Sequence, residues 1–418
     1  MASFWYAKAV SRLLCSVYAA SFCRRPSTAS FPPLLDATLD DLRQGLDSSL
    51  FTSVDLVNAY VARINKVNND LRAIAKINPD AVSIAASLDQ ARTQGEPHLG
   101  HLHGIPVLLK DNIATNDKMN NTAGSFALLG AKVGEDSTVA DKLRRAGAAS
   151  LGTETLGLIT MPCNVSNLMG IKPTLSLISR HLIIPITKHQ DVVSPMARTV
   201  KDATHLLAAI TRPDPQDNYT SAIPFTETPN YATAYVDSGL QGKQIGDHIT
   251  HLLSLSGQVM GADFLVNLEE YFAKLTYNPY NITTELYTKR QYLTGPLGYK
   301  GALKNHSLNA LVLPTKYILG PTALLGTPVI TVPFRRHPDD TQIVKDNLSN
   351  LDVLAPNLPF GIGFAGTAFS KENLISMAYA FEQRTKAQNA IKPYIQPKTK
   401  LGDIIQSKEW RTNRLDLL

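Results

Sequence analysis

The spacing of hydrophobic residues predicts an amphipathic helix near the start of the chain. Thr52 and Ser53 are both suitable N-caps, because their hydroxyls can accept a hydrogen bond from the first helical turn. Hydrophobic residues then recur at intervals of three and four, as Leu56, Val57, Tyr60, Val61 and Ile64. This period places them on one face, which we expect to pack on the core.

Two further helices are predicted by the same reasoning. Thr199 with Asp202 three residues later resembles a capping box. The hydrophobic side of the helix that follows is formed by Val200, Ala203, Leu207 and Ile210. The last helix of the chain is predicted to start at Ser370 and to bury Leu374, Met377 and Phe381.

Short apolar runs between the helices predict strands. Ile105–Leu109 is wholly apolar, predicts a buried strand and ends abruptly at Lys110. Further strands are predicted at Leu182–Ile186, Asn309–Leu313 and Val329–Val332. The alternation of short helices and strands indicates one mixed α/β domain over residues 35–395. Residues 1–30 are interpreted as a targeting leader and residues 396–418 as a C-terminal tail.

Composition and charge exclude several classes of protein. Of 418 residues, 44% are hydrophobic and 18% are charged, which is typical of a globular chain. The net charge is +6, but Lys8, Arg12, Arg24 and Arg25 precede the first acid, Asp36. The rest of the chain is therefore close to neutral, which argues against nucleic acid as a partner. No apolar run reaches the roughly 18–20 residues of a membrane span.

The first 35 residues leave two destinations open. The distance of the basic residues from the start favours a mitochondrial transit peptide. Six Asn-x-Ser/Thr sequons instead favour secretion, which we prefer; they begin at Asn120, Asn164, Asn218, Asn281, Asn305 and Asn347. Cys15 and Cys23 lie in this leader, so its removal leaves Cys163 without a disulfide partner.

Five ordered blocks carry a resemblance to a known family. They begin with HGIPVLLKDN at 103–112 and continue at Gly152–Thr174, Ile183–Val200, Gly326–Pro333 and Pro359–Thr385. These blocks resemble the amidase-signature family, and their spacing is most similar to fungal members. The resemblance implies an α/β fold with a mixed central sheet covered by helices on both faces. It also implies hydrolysis of a carbon–nitrogen bond in a small amide, with no cofactor and no metal.

Lys110 is the predicted catalytic base. Burial at the end of an apolar strand disfavours the lysine cation and lowers its pKa, so that its amine can accept a proton near neutral pH. From position alone, a strand-end lysine that reaches solvent or pairs with Asp111 is the commoner arrangement. The resemblance favours the base.

The nucleophile of the family is absent at the matching position. In relatives, the lysine acts through a relay serine on a nucleophilic serine, and backbone N–H groups of a preceding turn bind the oxyanion. The turn here is Thr155, Leu156 and Gly157, and the nucleophile position is Leu158. A leucine side chain has no lone pair with which to attack a carbonyl.

The relay serine is predicted to be missing as well. Between Ala148 and Leu151 the family inserts several dozen residues, including a Gly-Ser-Ser segment, and this chain has almost none. Part of the core is therefore predicted to be deleted, with neighbouring strands left unpaired. A second shortening is predicted between Gly246 and Leu275. Ser125 is a poor substitute nucleophile, because its block in the family packs beside the site.

The sequence around His101 and His103 argues against a metal site. His101 and His103 form H-x-H, but no carboxylate or cysteine cluster lies nearby in sequence, so we predict no metal. Three hypotheses remain: an amidase acting on a small amide, a non-catalytic relative that binds an amide or a partner, and a degenerate gene product. The sequence leaves the oligomeric state open.

Overall fold

The computed structural model describes residues 30–97, 99–146, 150–246, 295, 298–345 and 352–407. Within these ranges the helices are α1 (Leu39–Asp47), α2 (Ser53–Leu71), α3 (Ala81–Thr93), α4 (Thr138–Ala146), α5 (Thr160–Val165), α6 (Val200–Ile210), α7 (Tyr299–Asn305), α8 (Thr315–Leu325) and α9 (Lys371–Thr385), and a further helical segment follows at residues 401–407. The strands are β1 (Ser150–Glu154), β2 (Met169–Lys172), β3 (Val192–Ala197), β4 (Ile245–Gly246), β5 (Ala310–Pro314), β6 (Val329–Arg336), β7 (Val344–Lys345), β8 (Asp352–Leu354) and β9 (Pro359–Ala365).

Seven of the strands form one mixed sheet in the order β1-β3-β2-β6-β9-β5-β4, and β7 and β8 form a separate hairpin. Neighbouring strands of the sheet are antiparallel except for the parallel pair β4 and β5. Because side chains alternate along a strand, each strand supplies both faces of the sheet. The predicted α/β fold with a mixed sheet is confirmed.

Helices cover both faces of this sheet. On one face, Ile330 and Phe364 join a large core cluster that includes residues of α6 and α9. Their neighbours Val329 and Ala365 point the other way and pack with Ile318 of α8. The sheet therefore separates two apolar layers, as the predicted fold class requires.

The predicted helices and their caps are present. Thr52 caps α2, and Asp55 completes a capping box by accepting a hydrogen bond from the Thr52 N–H. Thr199 caps α6 by accepting a hydrogen bond from the N–H of Asp202. In α9, Leu374 and Met377 are buried and Phe381 is partly buried.

Two of the four predicted strands are wrong. β5 and β6 form where expected, but Ile105–Leu109 contributes only a single parallel bridge, Leu109 to Leu151. Leu182–Ile186 likewise contributes one bridge, at Ile183. Val107 and Leu108 are 37% and 48% exposed. An apolar run becomes a buried strand only when other elements cover both of its faces.

The packed structure extends beyond residue 395. Residues 401–407 are helical, so α9 is not the last helix. Leu401 and Ile405 are buried against a cluster that includes Leu39 and Leu42 of α1. Three of the predictions fall outside the described residues. They are the leader before residue 30, the junction at residues 147–149, and the second shortening between Gly246 and Leu275, which falls in the undescribed range 247–294. Among the described residues, no helix is long and apolar enough to span a membrane.

A buried carboxyl between α6 and α9 makes stability depend on pH. Burial raises the pKa of Glu382 to about 7. The hydrogen bond that its carboxylate accepts from the Val200 N–H at 3.0 Å opposes this shift, whereas the nearby charge of Asp202 adds to it. The folded state therefore binds more protons than the unfolded state between about pH 4.5 and 7, so stability falls as pH rises through this window. We expect Glu382→Gln to raise the free energy of unfolding by up to about 3 kcal/mol above pH 7 and to have little effect near pH 4. Urea unfolding at pH 4 and pH 8 measures the difference.

Glu372 provides the matched control for this prediction. It lies on the same helix and is exposed, so Glu372→Gln is expected to change stability little at either pH. An equal gain from Glu382→Gln at both pH values would contradict the prediction, since it would show that the ionisation of Glu382 has no energetic consequence.

Candidate active site

The turn after β1 is organised by Glu154, which is fully buried. Its carboxylate accepts hydrogen bonds from the backbone N–H groups of Gly157 (3.2 Å), Ile159 (2.8 Å) and Thr160 (2.8 Å), and from the Thr160 hydroxyl (2.7 Å). Gly157 has a φ of +79°, a left-handed conformation that glycine adopts without strain. The turn thus leads from the strand into α5 with three of its backbone N–H groups bonded to one buried carboxylate.

Lys110 lies beside this turn, is partly buried and contacts β1. Its Nζ donates to the Thr153 hydroxyl at 2.9 Å and to the Thr153 carbonyl at 3.3 Å. The alternative partner, Asp111, instead accepts a hydrogen bond from the Thr122 hydroxyl at 2.7 Å. Burial lowers the pKa of Lys110, while the charges of Asp191 and Glu154 oppose that shift. This direction is the one that a general base requires.

Thr153 is the centre of the polar contacts around Lys110. Besides the lysine amine, its Oγ1 accepts a hydrogen bond from Asn112 Nδ2 at 3.1 Å, and Asn112 also donates to the Ile184 carbonyl at 3.2 Å. Among the residues that the structure describes, no serine hydroxyl is bonded to Lys110. Ser125 is exposed and precedes a short 3₁₀ turn, without a side-chain hydrogen bond to it.

Asp191 closes the other side of the site. Its carboxylate accepts from the Thr155 hydroxyl at 2.5 Å and from the backbone N–H groups of Ile186 and Thr187 at 2.7 and 2.9 Å. Burial raises its pKa, and these hydrogen bonds together with Arg180 oppose the rise. Sequence reasoning missed both Asp191 and Glu154. For Glu154 a signal existed, because an acid just before a glycine turn can accept that turn's N–H groups.

Four of these residues, Asn112, Thr153, Thr155 and Asp191, border a cavity of about 220 Å³, and Lys110 contacts it through Thr153. Its lining includes Asn112, Thr153, Thr155, Arg180, Ile183 and Asp191. The Arg180 guanidinium lies over the Tyr219 ring, with its Cζ 4.2 Å from the ring centroid. The cavity is therefore lined by amide, hydroxyl, guanidinium and carboxylate groups together with apolar side chains such as Ile183.

The predicted nucleophile and oxyanion positions have a mixed outcome. Leu158 is 41% exposed at the start of the turn into α5. The Thr155 hydroxyl donates to Asp191 and the Gly157 N–H to Glu154, so both of these groups are occupied within the protein. The oxyanion role assigned to Thr155, Leu156 and Gly157, and the base role of Lys110, stay predictions.

Comparison with known families bears on the missing segment. The Amidase family profile matches residues 55–152 and, separately, residues 148–284. The two matches meet where the relay segment is predicted to be absent. An amidase-family protein of the fungus Arthroderma benhamiae is 33% identical over 91% of this chain and 90% of its own length, in an alignment of 539 positions. Since 91% of 418 residues is about 380, about 160 aligned positions have no residue in this chain.

Other relatives share the sequence pattern and the fold. An amidase-family protein of Arabidopsis thaliana is 28% identical over 89% of this chain and 94% of its own. The peptide amidase of Stenotrophomonas maltophilia is 25% identical, covers 89% of this chain and 100% of its own, and superposes with a TM-score of 0.72. A peptide amidase bound to the competitive inhibitor chymostatin is 26% identical over 84% of this chain and 98% of its own, with the same TM-score.

The sequence similarity to the relatives extends along the chain and is not limited to a single motif. The identity to the Arthroderma benhamiae protein extends over about nine-tenths of both sequences, and the profile matches together span residues 55–284. The chain therefore belongs to the amidase family.

Proposed function

We propose that this chain binds a small amide-containing molecule in the cavity beside Lys110 without hydrolysing it by the serine mechanism of its relatives. One observation carries the proposal: the nucleophile position is Leu158, while the amine of Lys110 is engaged with the hydroxyl of Thr153. Covalent catalysis by the family route needs two serine hydroxyls, and neither is found at the matching positions.

The polar groups of the cavity suit an amide. The Lys110 ammonium has three N–H donors, of which two bond to Thr153, so one is left for the carbonyl oxygen of a ligand beside Thr153, which lines the cavity. The Asp191 carboxylate accepts three of the about four hydrogen bonds that its oxygens can accept. An amide N–H can take the remaining position. The volume of about 220 Å³ lies below the roughly 300–1,000 Å³ of cavities for drug-sized ligands, which favours a ligand of few heavy atoms.

Hydrolysis with Thr153 as the nucleophile is the second candidate. It is favoured by the 2.9 Å contact between Lys110 Nζ and Thr153 Oγ1 and by the lowered pKa of Lys110. Two features oppose it. Thr153 is only 5% exposed, and its oxygen accepts hydrogen bonds from both Lys110 and Asn112 rather than donating its proton to the lysine.

Calorimetry tests the proposal by comparing the binding of N-acetylalaninamide with that of N-acetylalanine, the matched acid. We expect the amide to bind and the acid to bind more weakly, because Asp191 repels a carboxylate. Lys110→Met is expected to weaken amide binding by about tenfold, the effect of one lost charge-assisted hydrogen bond. Lys304→Met, at an exposed lysine of α7, is expected to leave binding unchanged.

Ammonia release and fluorophosphonate labelling distinguish the alternatives. The proposal predicts neither with the wild-type chain. Ammonia release that disappears in both Lys110→Met and Thr153→Val would instead establish the second candidate. A chain that does not melt cooperatively would indicate a degenerate gene product, and cDNA sequence across the codons for Ala148 and Leu151 would show whether a Gly-Ser-Ser segment is encoded there.

A further inference from the structure

Three side chains with metal-binding atoms meet on the side of α6 that faces the start of the chain. Asp40 belongs to the first turn of α1, His101 to the loop between α3 and the segment Ile105–Leu109, and His205 to α6. Their ligand atoms all lie within 4.8 Å of one another. His101 Nε2 is 3.1 Å from Asp40 Oδ1, and the rings of His101 and His205 stack with centroids 4.3 Å apart. None of these residues lines the Lys110 cavity.

One ring nitrogen of His205 has no evident role in holding the described residues together. Its Nε2 is buried and has no hydrogen-bond partner among the described residues. Leaving a buried polar nitrogen unpaired costs about 1–3 kcal/mol, so such an atom calls for an explanation. A neutral imidazole with a ring nitrogen free of other partners is the form that coordinates a metal.

Lys201 engages only one of the two carboxylate oxygens of Asp40. Lys201 forms an ion pair with Asp40 Oδ2, and the lysine also lies over the Tyr235 ring, 5.4 Å from its centroid. Oδ1, the other oxygen, faces the His101 imidazole. The Lys201 charge repels a cation, so we expect weaker binding than at a site without this neighbour.

We propose that Asp40, His101 and His205 form a binding site for a divalent transition-metal ion of the Zn²⁺ type. Two imidazoles and one carboxylate are a common zinc ligand set, with the fourth position left for water. Ligands about 2.1 Å from one ion lie about 3.4 Å apart at a tetrahedral angle, which the His101–Asp40 pair already approximates. His205 has to approach by on the order of 1 Å, within the range of a side-chain rotation.

The ion would join three segments that are far apart in sequence. Asp40 and His101 are separated by 61 residues, and His205 lies more than a hundred residues further on. An ion that binds only the assembled site stabilises the folded state by mass action. The site would thus fasten α1 and the loop carrying His101 onto α6. The inference does not depend on the function proposed above.

The H-x-H sequence acquires a different meaning in the fold. His103, which the sequence pairs with His101, points its Nε2 at the Leu88 carbonyl, 2.9 Å away. The second imidazole and the carboxylate come instead from α6 and α1. The prediction of no metal rested on the lack of a nearby carboxylate in sequence, which the tertiary structure supplies.

The test is Zn²⁺ titration of the tag-free, chelator-treated full chain. We expect one ion per chain by calorimetry and a saturable rise in melting temperature. Co²⁺ in place of Zn²⁺ is expected to give the visible d–d absorption of a nitrogen- and oxygen-ligated ion. His205→Ala is expected to weaken binding at least tenfold, and His306→Ala, at an exposed histidine, to leave it unchanged.

Two results would overturn the proposal: wild-type protein that binds no stoichiometric Zn²⁺, or His205→Ala that binds as tightly as wild type. If His205→Ala does not fold, His101→Asn replaces it, since that ligand is more exposed and its loss perturbs packing less. Unchanged Zn²⁺ affinity in folded His101→Asn would be equally decisive against the site.

Discussion

Glu154→Gln is expected to lower the free energy of unfolding by about 3–5 kcal/mol, the largest loss that we predict for a single substitution. The fully buried carboxylate accepts three backbone N–H groups and one hydroxyl with both of its oxygens. Glutamine replaces one of these acceptors by an NH₂ group, which then faces donors. Two or more buried donors lose their partner, and each such loss costs about 1–3 kcal/mol.

Urea denaturation compared with the wild-type chain measures this loss. Glu227→Gln is the matched control, because Glu227 is exposed and the same chemical change there is expected to alter stability by less than about 0.5 kcal/mol. The Leu158 turn is also expected to loosen, so a protease should cut Glu154→Gln near residues 155–159 faster than wild type. Equal stability of Glu154→Gln and wild type would show that the turn does not depend on the carboxylate.

Lys371→Met is expected to have the largest effect in the opposite direction and to stabilise the protein by about 2–4 kcal/mol near neutral pH. Lys371 is fully buried at the start of α9, and its amine donates to the Thr174 hydroxyl at 2.9 Å. Burial lowers its pKa well below the ordinary value, and the neighbouring buried Lys172 lowers it further. Thr174 keeps a hydrogen bond from the Phe369 N–H at 2.8 Å after the substitution.

The pH dependence identifies the cause of this gain. Between its lowered folded pKa and about 10.5, Lys371 binds fewer protons in the folded than in the unfolded state. Wild-type stability therefore rises with pH across that window, and the advantage of Lys371→Met shrinks as pH approaches 10.5. Thermal unfolding between pH 6 and 10 follows the difference, with Lys304→Met at an exposed site as control. A gain of constant size over this range would mean that packing, and not deprotonation of Lys371, produces it.

The sequence alone was sufficient wherever the determining contacts are local. The caps at Thr52 and Thr199 need only a hydroxyl and an N–H three residues later, and both form as predicted. The hydrophobic faces of α2, α6 and α9 follow from helical spacing within each segment. The family blocks likewise gave the fold class, Lys110 and the replacement of the nucleophile by Leu158, because each is written in a short stretch of chain.

The tertiary structure decided what depends on neighbours distant in sequence. Whether Ile105–Leu109 becomes a buried strand depends on a covering strand, and the described residues supply one bridge to β1. Thr153 becomes the partner of Lys110 from 43 residues away, and Asp191 is brought against Thr155 by the pairing of β1 with β3. Asp40, His101 and His205 meet only when α1 packs on α6. Residue type and spacing determine local hydrogen bonds and apolar faces, whereas the partner of a buried polar atom is set by the packing of the whole chain.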